Sequence, residues 1–318
     1  MKPCPPVLLI VFNRPNLAGK VLGAIRRQRP AKLYIAGDGP RDPAINPNDV
    51  SRCGECRQLA ETIDWPCEVF TRFSKTNQGC GMGVSNAITW FFENEESGII
   101  LEDDCLPTDD FFPFCRELLE LYKDENQVMS ICGNIFGSSR SQKACGSYSY
   151  GFGRYAQVWG WASWARAWKL YRYDVGTAAD NFHLFKTRGV SMIQQRLHQS
   201  RVLSTRASGG PDTWDYQWQF AVLKNNGLVA CPSVNLISNI GFGADATHTT
   251  SKDSPVAMAS TGRLKFPQKH PPYPCESPDV NRIYADHMFG RAWKLRRKLL
   301  RSWLRGLFAL KPADQSAV

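Results

Sequence analysis

The sequence has no apolar stretch that approaches the roughly 18 residues a membrane-spanning helix needs. Its opening, MKPCPPVLLIVFNRP, holds an apolar run of only six residues between prolines and Asn13-Arg14. That run is too short for the core of a signal peptide and reads as a first buried strand. The dinucleotide-binding glycine fingerprint and the Walker Lys-Ser/Thr pair are both absent, which disfavours hydride transfer and nucleotide hydrolysis. Cys53-Gly54-Glu55-Cys56 has half the spacing of a zinc site, but no second Cys or His pair follows at a suitable interval. The eleven cysteines are odd in number and scattered, as expected of reduced core thiols in a cytoplasmic protein. No helix-turn-helix, zinc-finger or RNA-binding signature is present, so no nucleic-acid partner is expected.

Acidic residues are missing from one region in particular. Between Arg291 and Lys311 there are eight basic residues and no acid, so subtracting 8 from the net charge of +10 leaves only +2 for the rest. On a helical wheel Trp293, Leu299, Leu300, Trp303, Leu304 and Leu307 fall on one side. Lys294, Lys298, Arg301 and Arg305 fall on the other. Residues 291–318 therefore read as a basic amphipathic tail that could lie on an anionic membrane surface, a peripheral position on its inner face. The alternative is a terminal helix packed on the domain.

The remainder is ordinary globular material, 43% hydrophobic and 21% charged. Over residues 1–135 the period alternates. VLLIVF, KLYIAG, CEVFTRF, GIIL and QVMSICG read as strands. Residues 16–28, 49–62 and 84–96 and the segment from Asp109 or Asp110 read as helices, the last with Pro113 in its first turn. Apolar strands between amphipathic helices predict an α/β fold, a mostly parallel sheet covered on both faces. Ligands bind such sheets beyond the carboxyl ends of the strands, where FNR, GDG and EDD all fall and should converge. Residues 136–266 read as the second half of the same domain, with an aromatic-rich stretch at 150–171 and long polar loops. Residues 267–290, with five prolines between 267 and 279, read as a linker.

The chemistry is concentrated at GIILEDDCLP. Glu102, Asp103 and Asp104 repel one another, so their placement at the end of a buried strand calls for a cation. Oxygen ligands there suit Mg²⁺ or Mn²⁺, and nucleotidyl, phosphoryl and sugar transfer all use such a site. In SKTNQGCGMGVSNAI, Gly79, Gly81 and Gly83 precede a helix, where bare backbone can approach a phosphate or sugar.

Taken together, VFNRP, IAGDGP, ILEDDCLPTDDFFPF, GWASWARAW, TWDYQW and NIGFGADATHT resemble the GT-A nucleotide-sugar glycosyltransferases. The likeness is greatest to the N-acetylglucosaminyltransferase I type and runs from about Val7 to Thr250. The pattern is also similar to bacterial open reading frames described as sugar transferases or as haemolysin-like. The resemblance implies a GT-A fold, a metal-dependent transfer from a UDP-sugar, and inversion at the anomeric carbon. It makes Asp104 the ligand of Mn²⁺ or Mg²⁺, with Glu102 and Asp103 near the sugar and ribose. Arg14 would approach the nucleotide and Asp38 the uracil ring. Trp161, beside Gly160, would lie against a sugar face, and 239–249 would close over the diphosphate. Asp215 becomes the general base, with Asp212 the alternative and the expected helix cap. His248 is either a phosphate or metal contact or an ordinary surface residue. Trp159, Trp164 and Trp168 are expected in the core. The acceptor would be a glycan, a lipid-linked group or a protein. Two rival readings share the fold: a nucleotidyltransferase, and a non-catalytic membrane-active or carbohydrate-binding protein.

Overall fold

The structure, a computed structural model, describes residues 3–175, 182–203, 210–242 and 260–290. Its centre is an eight-stranded sheet in the order β3-β2-β1-β4-β8-β6-β9-β7. The strands are β1 (Val7–Val11), β2 (Lys32–Gly37), β3 (Glu68–Phe73), β4 (Ser97–Glu102), β6 (Val128–Cys132), β7 (Tyr150–Gly153), β8 (Trp161–Trp164) and β9 (Leu228–Pro232). The first four are parallel neighbours. β8 opposes both β4 and β6, so β6 and its parallel partner β9 run with the first four, and β7 runs against them. Both halves of the chain therefore contribute to one mostly parallel α/β sheet, as the periodicity predicts. A small ribbon pairs β5 (Cys105–Pro107) with β10 (Ile237–Asn239).

β1 explains the layering. All five of its residues are buried, and alternate side chains point to opposite faces. Val7, Leu9 and Val11 join one core with Ala18, Val21 and Ile25 of α1 (Pro15–Gln28) and Phe111, Phe114 and Leu118 of α4 (Phe111–Leu121). Leu8 and Ile10 join the other, with Val84, Ile88 and Phe91 of α3 (Gly79–Asn94) and Trp218 and Val222 of α8 (Asp215–Lys224). Each fully buried side chain of this size contributes about 1.5–3 kcal/mol.

Two expectations are corrected here. α3 starts at Gly79 rather than near residue 84, because its first turn is held by a carboxylate from elsewhere in the chain. The stretch 267–290 is also no free linker. Glu117 of α4 binds Gln268 at 2.6 Å and His270 at 2.9 Å, and Phe152 of β7 pairs with Glu276. Residues 278–290 are helical, with Val280, Ile283, Ala285 and Phe289 buried. Apolar residues at helical spacing lie behind the prolines, and their burial holds the segment on the domain. The tail, 291–318, lies outside the described residues.

Candidate functional site

Three adjacent parallel strands end at one place. Val11 is in register with Gly37 and Ile10 with Glu102, so the residues that follow β1, β2 and β4 emerge side by side. They open into a cavity of about 500 Å³ lined by Arg14, Asp38, Glu102, Asp103 and Asp104. The start of α3, the segment Asp212–Asp215, and Arg41, Arg72, Trp159, Asn239, Gly241 and Phe242 add to the lining.

The acidic triplet is held by Arg14. Its Nη2 donates to Asp103 Oδ1, its Nε to Asp103 Oδ2 at 3.3 Å and its Nη1 to Asp104 Oδ2 at 2.9 Å. Asp103 is nearly sealed, its side chain 3% exposed, while that of Asp104 is 16% exposed. Burial alone would lower the pKa of Arg14, but Asp103 and Asp104 reverse this and raise it. Among the described residues Glu102 makes no such pair. Burial, then Asp104 and Asp103, push its carboxyl up to about 8. Burial also raises Asp103, with Arg14 opposing. The cation demanded by three consecutive acids is thus supplied in part from within the chain, by Arg14.

Asp38 is occupied differently from the expectation of an open base contact. Its carboxylate accepts from the backbone N–H groups of Gly39 at 2.8 Å, Gln78 at 2.9 Å and Gly79 at 3.1 Å. It therefore holds the N-terminus of α3, where unpaired N–H groups and the helix dipole favour an anion. Its pKa is nonetheless raised by burial, which outweighs these hydrogen bonds. Asp212 also serves α3 rather than capping α8, accepting from Gly81 N at 3.2 Å. The glycines make room for this grip. Gly79 lines the cavity with φ +84°, a conformation that favours glycine. Gly81 does not line it, contrary to expectation. It is buried, and a Cβ there would lie 2.5 Å from Tyr173 Oη and 2.7 Å from Asp212 Oδ1.

Asp215 is the first residue of α8 and lines the cavity, its Oδ1 accepting from Thr213 Oγ1. Trp161 is a correction. It is 1% exposed, stacked on Trp214 at 5.7 Å and packed against Trp168 and Trp218. It lies inside the core, because β8 directs it into the aromatic cluster between sheet and α8. Trp159, expected in the core, is half-buried and lines the cavity instead. Gly160, at φ +61° and pressed on Ile237, separates the two. Gly241 and Phe242 were not singled out in the sequence, although they open the loop expected to cover the diphosphate. The loop begins directly over Asp104: Ile240 N donates to the Asp104 carbonyl at 2.8 Å. His248 lies outside the described residues. Among the described residues no group of three or more His, Cys, Asp or Glu side chains is arranged to hold a metal.

No protein-family model matches the chain, and no curated protein is similar to it. Among solved structures it is similar to residues 1–349 of TarS from S. aureus, at 11% identity over 56% of this chain and 52% of that one, with a TM-score of 0.36. The apo WbbM bifunctional glycosyltransferase gives 9% identity over 70% of this chain and 37% of that one, TM-score 0.33. Mouse xyloside xylosyltransferase 1, apo form, gives 12% identity over 68% and 80%, TM-score 0.32. The chain thus spans about half of the TarS chain and a smaller share of WbbM. At such scores no residue of this chain takes a role from its counterpart.

Proposed function

We propose that the chain is a metal-dependent glycosyltransferase of the GT-A type that moves a sugar from a nucleotide diphosphate, UDP by motif resemblance, to a hydroxyl acceptor with inversion. One observation carries the reading: six acidic side chains (Asp38, Glu102, Asp103, Asp104, Asp212 and Asp215) line a cavity at the carboxyl ends of parallel strands, so that even with Glu102 protonated five carboxylates face three arginines, Arg14, Arg41 and Arg72. Arg14 is already paired with Asp103 and Asp104, and Arg41 with Asp49. An anionic diphosphate would be repelled from this lining unless a further cation entered with it.

The described residues offer no group of three side-chain donors, so a hard divalent ion would be held by Asp104 together with phosphate oxygens of the donor. Oxygen donors suit Mg²⁺ and Mn²⁺, and Asp104 is the more accessible of the two paired aspartates. A Cβ on Gly241 would lie 2.2 Å from Asp104 Oδ2, so only a glycine lets the loop backbone pass this close to that carboxylate. Asp104 would hold the ion, which would neutralise the diphosphate as it leaves. Arg14 holds the acidic triplet in place and adds positive charge on the leaving-group side. Asp215 faces the cavity from α8, a different element from the triplet. It would take the acceptor hydroxyl proton as that oxygen attacks the anomeric carbon and the bond to the diphosphate breaks. The tail, 291–318, would place the enzyme on an anionic membrane face, within reach of membrane-borne acceptors.

Thermal-shift titration with UDP and UDP-sugars, with and without Mn²⁺ or Mg²⁺, tests the donor side. A ligand at 100 times its Kd should stabilise by about 2.7 kcal/mol, and only with metal. No nucleotide shift under any of these conditions would remove the proposal. Asp215→Asn should cut turnover by roughly 10²–10⁴-fold with donor affinity unchanged. Normal turnover in Asp215→Asn with loss in Asp212→Asn would move the base to Asp212.

A further inference from the structure

The second half of the chain gives the cavity a two-sided chemical character that donor binding leaves unused. Trp159 and Phe242 are set edge-on with ring centroids 6.0 Å apart, and both contribute to the lining. Trp159 is also fixed from behind, edge-on to Phe136 at 5.6 Å, and Phe136 lies flat on His287 at 3.8 Å. The indole is therefore a braced surface, unlike Trp161, which is consumed by core packing. Asp212 and Asp215 line the same cavity. Aromatic rings and carboxylates in one cavity match the two surfaces of a sugar ring. Its C–H face packs on the indole, and its hydroxyls donate to carboxylate oxygens.

We infer that Trp159 and Phe242, with Asp212 and Asp215, form an acceptor subsite for a carbohydrate ring, so that the acceptor is a glycan. The inference rests on the glycosyltransferase reading but is separable from it. Trp159 orients the ring, and Asp215 then meets the hydroxyl that attacks.

The test uses the full chain on an array of neutral and amino-sugar oligosaccharides, with UDP and Mn²⁺ present, followed by calorimetry on those that bind. Trp159→Ala should weaken glycan binding about tenfold, whereas Trp159→Phe, which keeps an aromatic face, should lose less than about threefold. UDP affinity should stay within about twofold in both, since the indole is assigned to the acceptor. UDP binding with no glycan bound would overturn the subsite and leave the donor reading in place. Glycan binding without any UDP binding would support the subsite and remove the donor reading. Equal glycan affinity in wild type and Trp159→Ala, or parallel loss of UDP and glycan in both variants, would refute the role given to Trp159.

Discussion

Replacing Arg14 by methionine isolates what holds the acidic triplet together. Arg14 bridges Asp103, whose side chain is 3% exposed, and Asp104, at 16%. Removing one partner of a buried ion pair leaves an uncompensated charge and costs about 3–5 kcal/mol. Asp103 carries most of that cost, because among the described residues it has only the Phe12 N–H at 3.4 Å to fall back on. Arg14→Lys keeps the charge but loses the two-pronged geometry, so its loss should fall between the two.

Urea denaturation across pH reads the effect. Glu102, with an ordinary value of 4.5, is raised to about 8, so the folded state holds its proton more tightly than the unfolded chain does. That contribution is fully present below about 4.5 and is lost as pH rises toward 8. Without Arg14 the carboxyls of Asp103 and Glu102 rise further. The gap between wild type and Arg14→Met should therefore be small at pH 5 and widen toward pH 8. Millimolar Mn²⁺ should narrow it at pH 8, since the ion and Arg14 neutralise the same carboxylates. A variant within about 0.5 kcal/mol of wild type at pH 8, or a gap independent of pH, would refute the role assigned to Arg14.

Three further outcomes are expected. Asp104→Ala should fold but lose metal-dependent UDP binding; equal UDP affinity in wild type and variant at saturating Mn²⁺ would clear Asp104 of that role. His198, fully enclosed among Tyr155, Phe185 and Phe289, is pushed down from 6.5 to about 3 by burial and then by Arg201. The unfolded chain therefore binds its proton more readily, and stability should fall by about 2 kcal/mol between pH 6.5 and pH 5. His198→Phe should flatten that slope in calorimetric melts, and an unchanged slope would place the titration elsewhere. The full chain should sediment with anionic vesicles at low salt while a chain ending at Gly290, which keeps the buried Phe289, should not; equal pelleting would deny the tail a membrane role.

Much of the first half was legible because its signals are local. VLLIV carries its own burial, and the helix after Pro15 carries its own apolar stripe. The ends of β1, β2 and β4 were readable for the same reason, since a parallel strand buried on both faces can place polar groups only where it emerges. What those groups bind was not readable. Arg14 meets Asp103 across 89 positions, and Asp38 holds Gln78 across 40. No period or spacing in the sequence encodes either meeting. The early start of α3 escaped for a related reason: GCGMG has poor intrinsic helix propensity, and the stabilising carboxylates come from Asp38 and Asp212.

The second half was less legible because its strands are too short to show a period. YGFG and WASW are four residues each, both fully buried, and nothing in them distinguishes a core Trp from a cavity Trp. Family resemblance pointed to Trp161, the residue after Gly160. The decisive variable was the direction of the chain at that glycine. With φ at +61°, Gly160 turns Trp161 into the sheet and leaves Trp159 at the cavity. A larger residue there would strain the turn and strike Ile237, at 2.4 Å from its Cβ. Gly160 therefore decides which indole the cavity receives, and the acceptor subsite depends on it as much as on Trp159 itself.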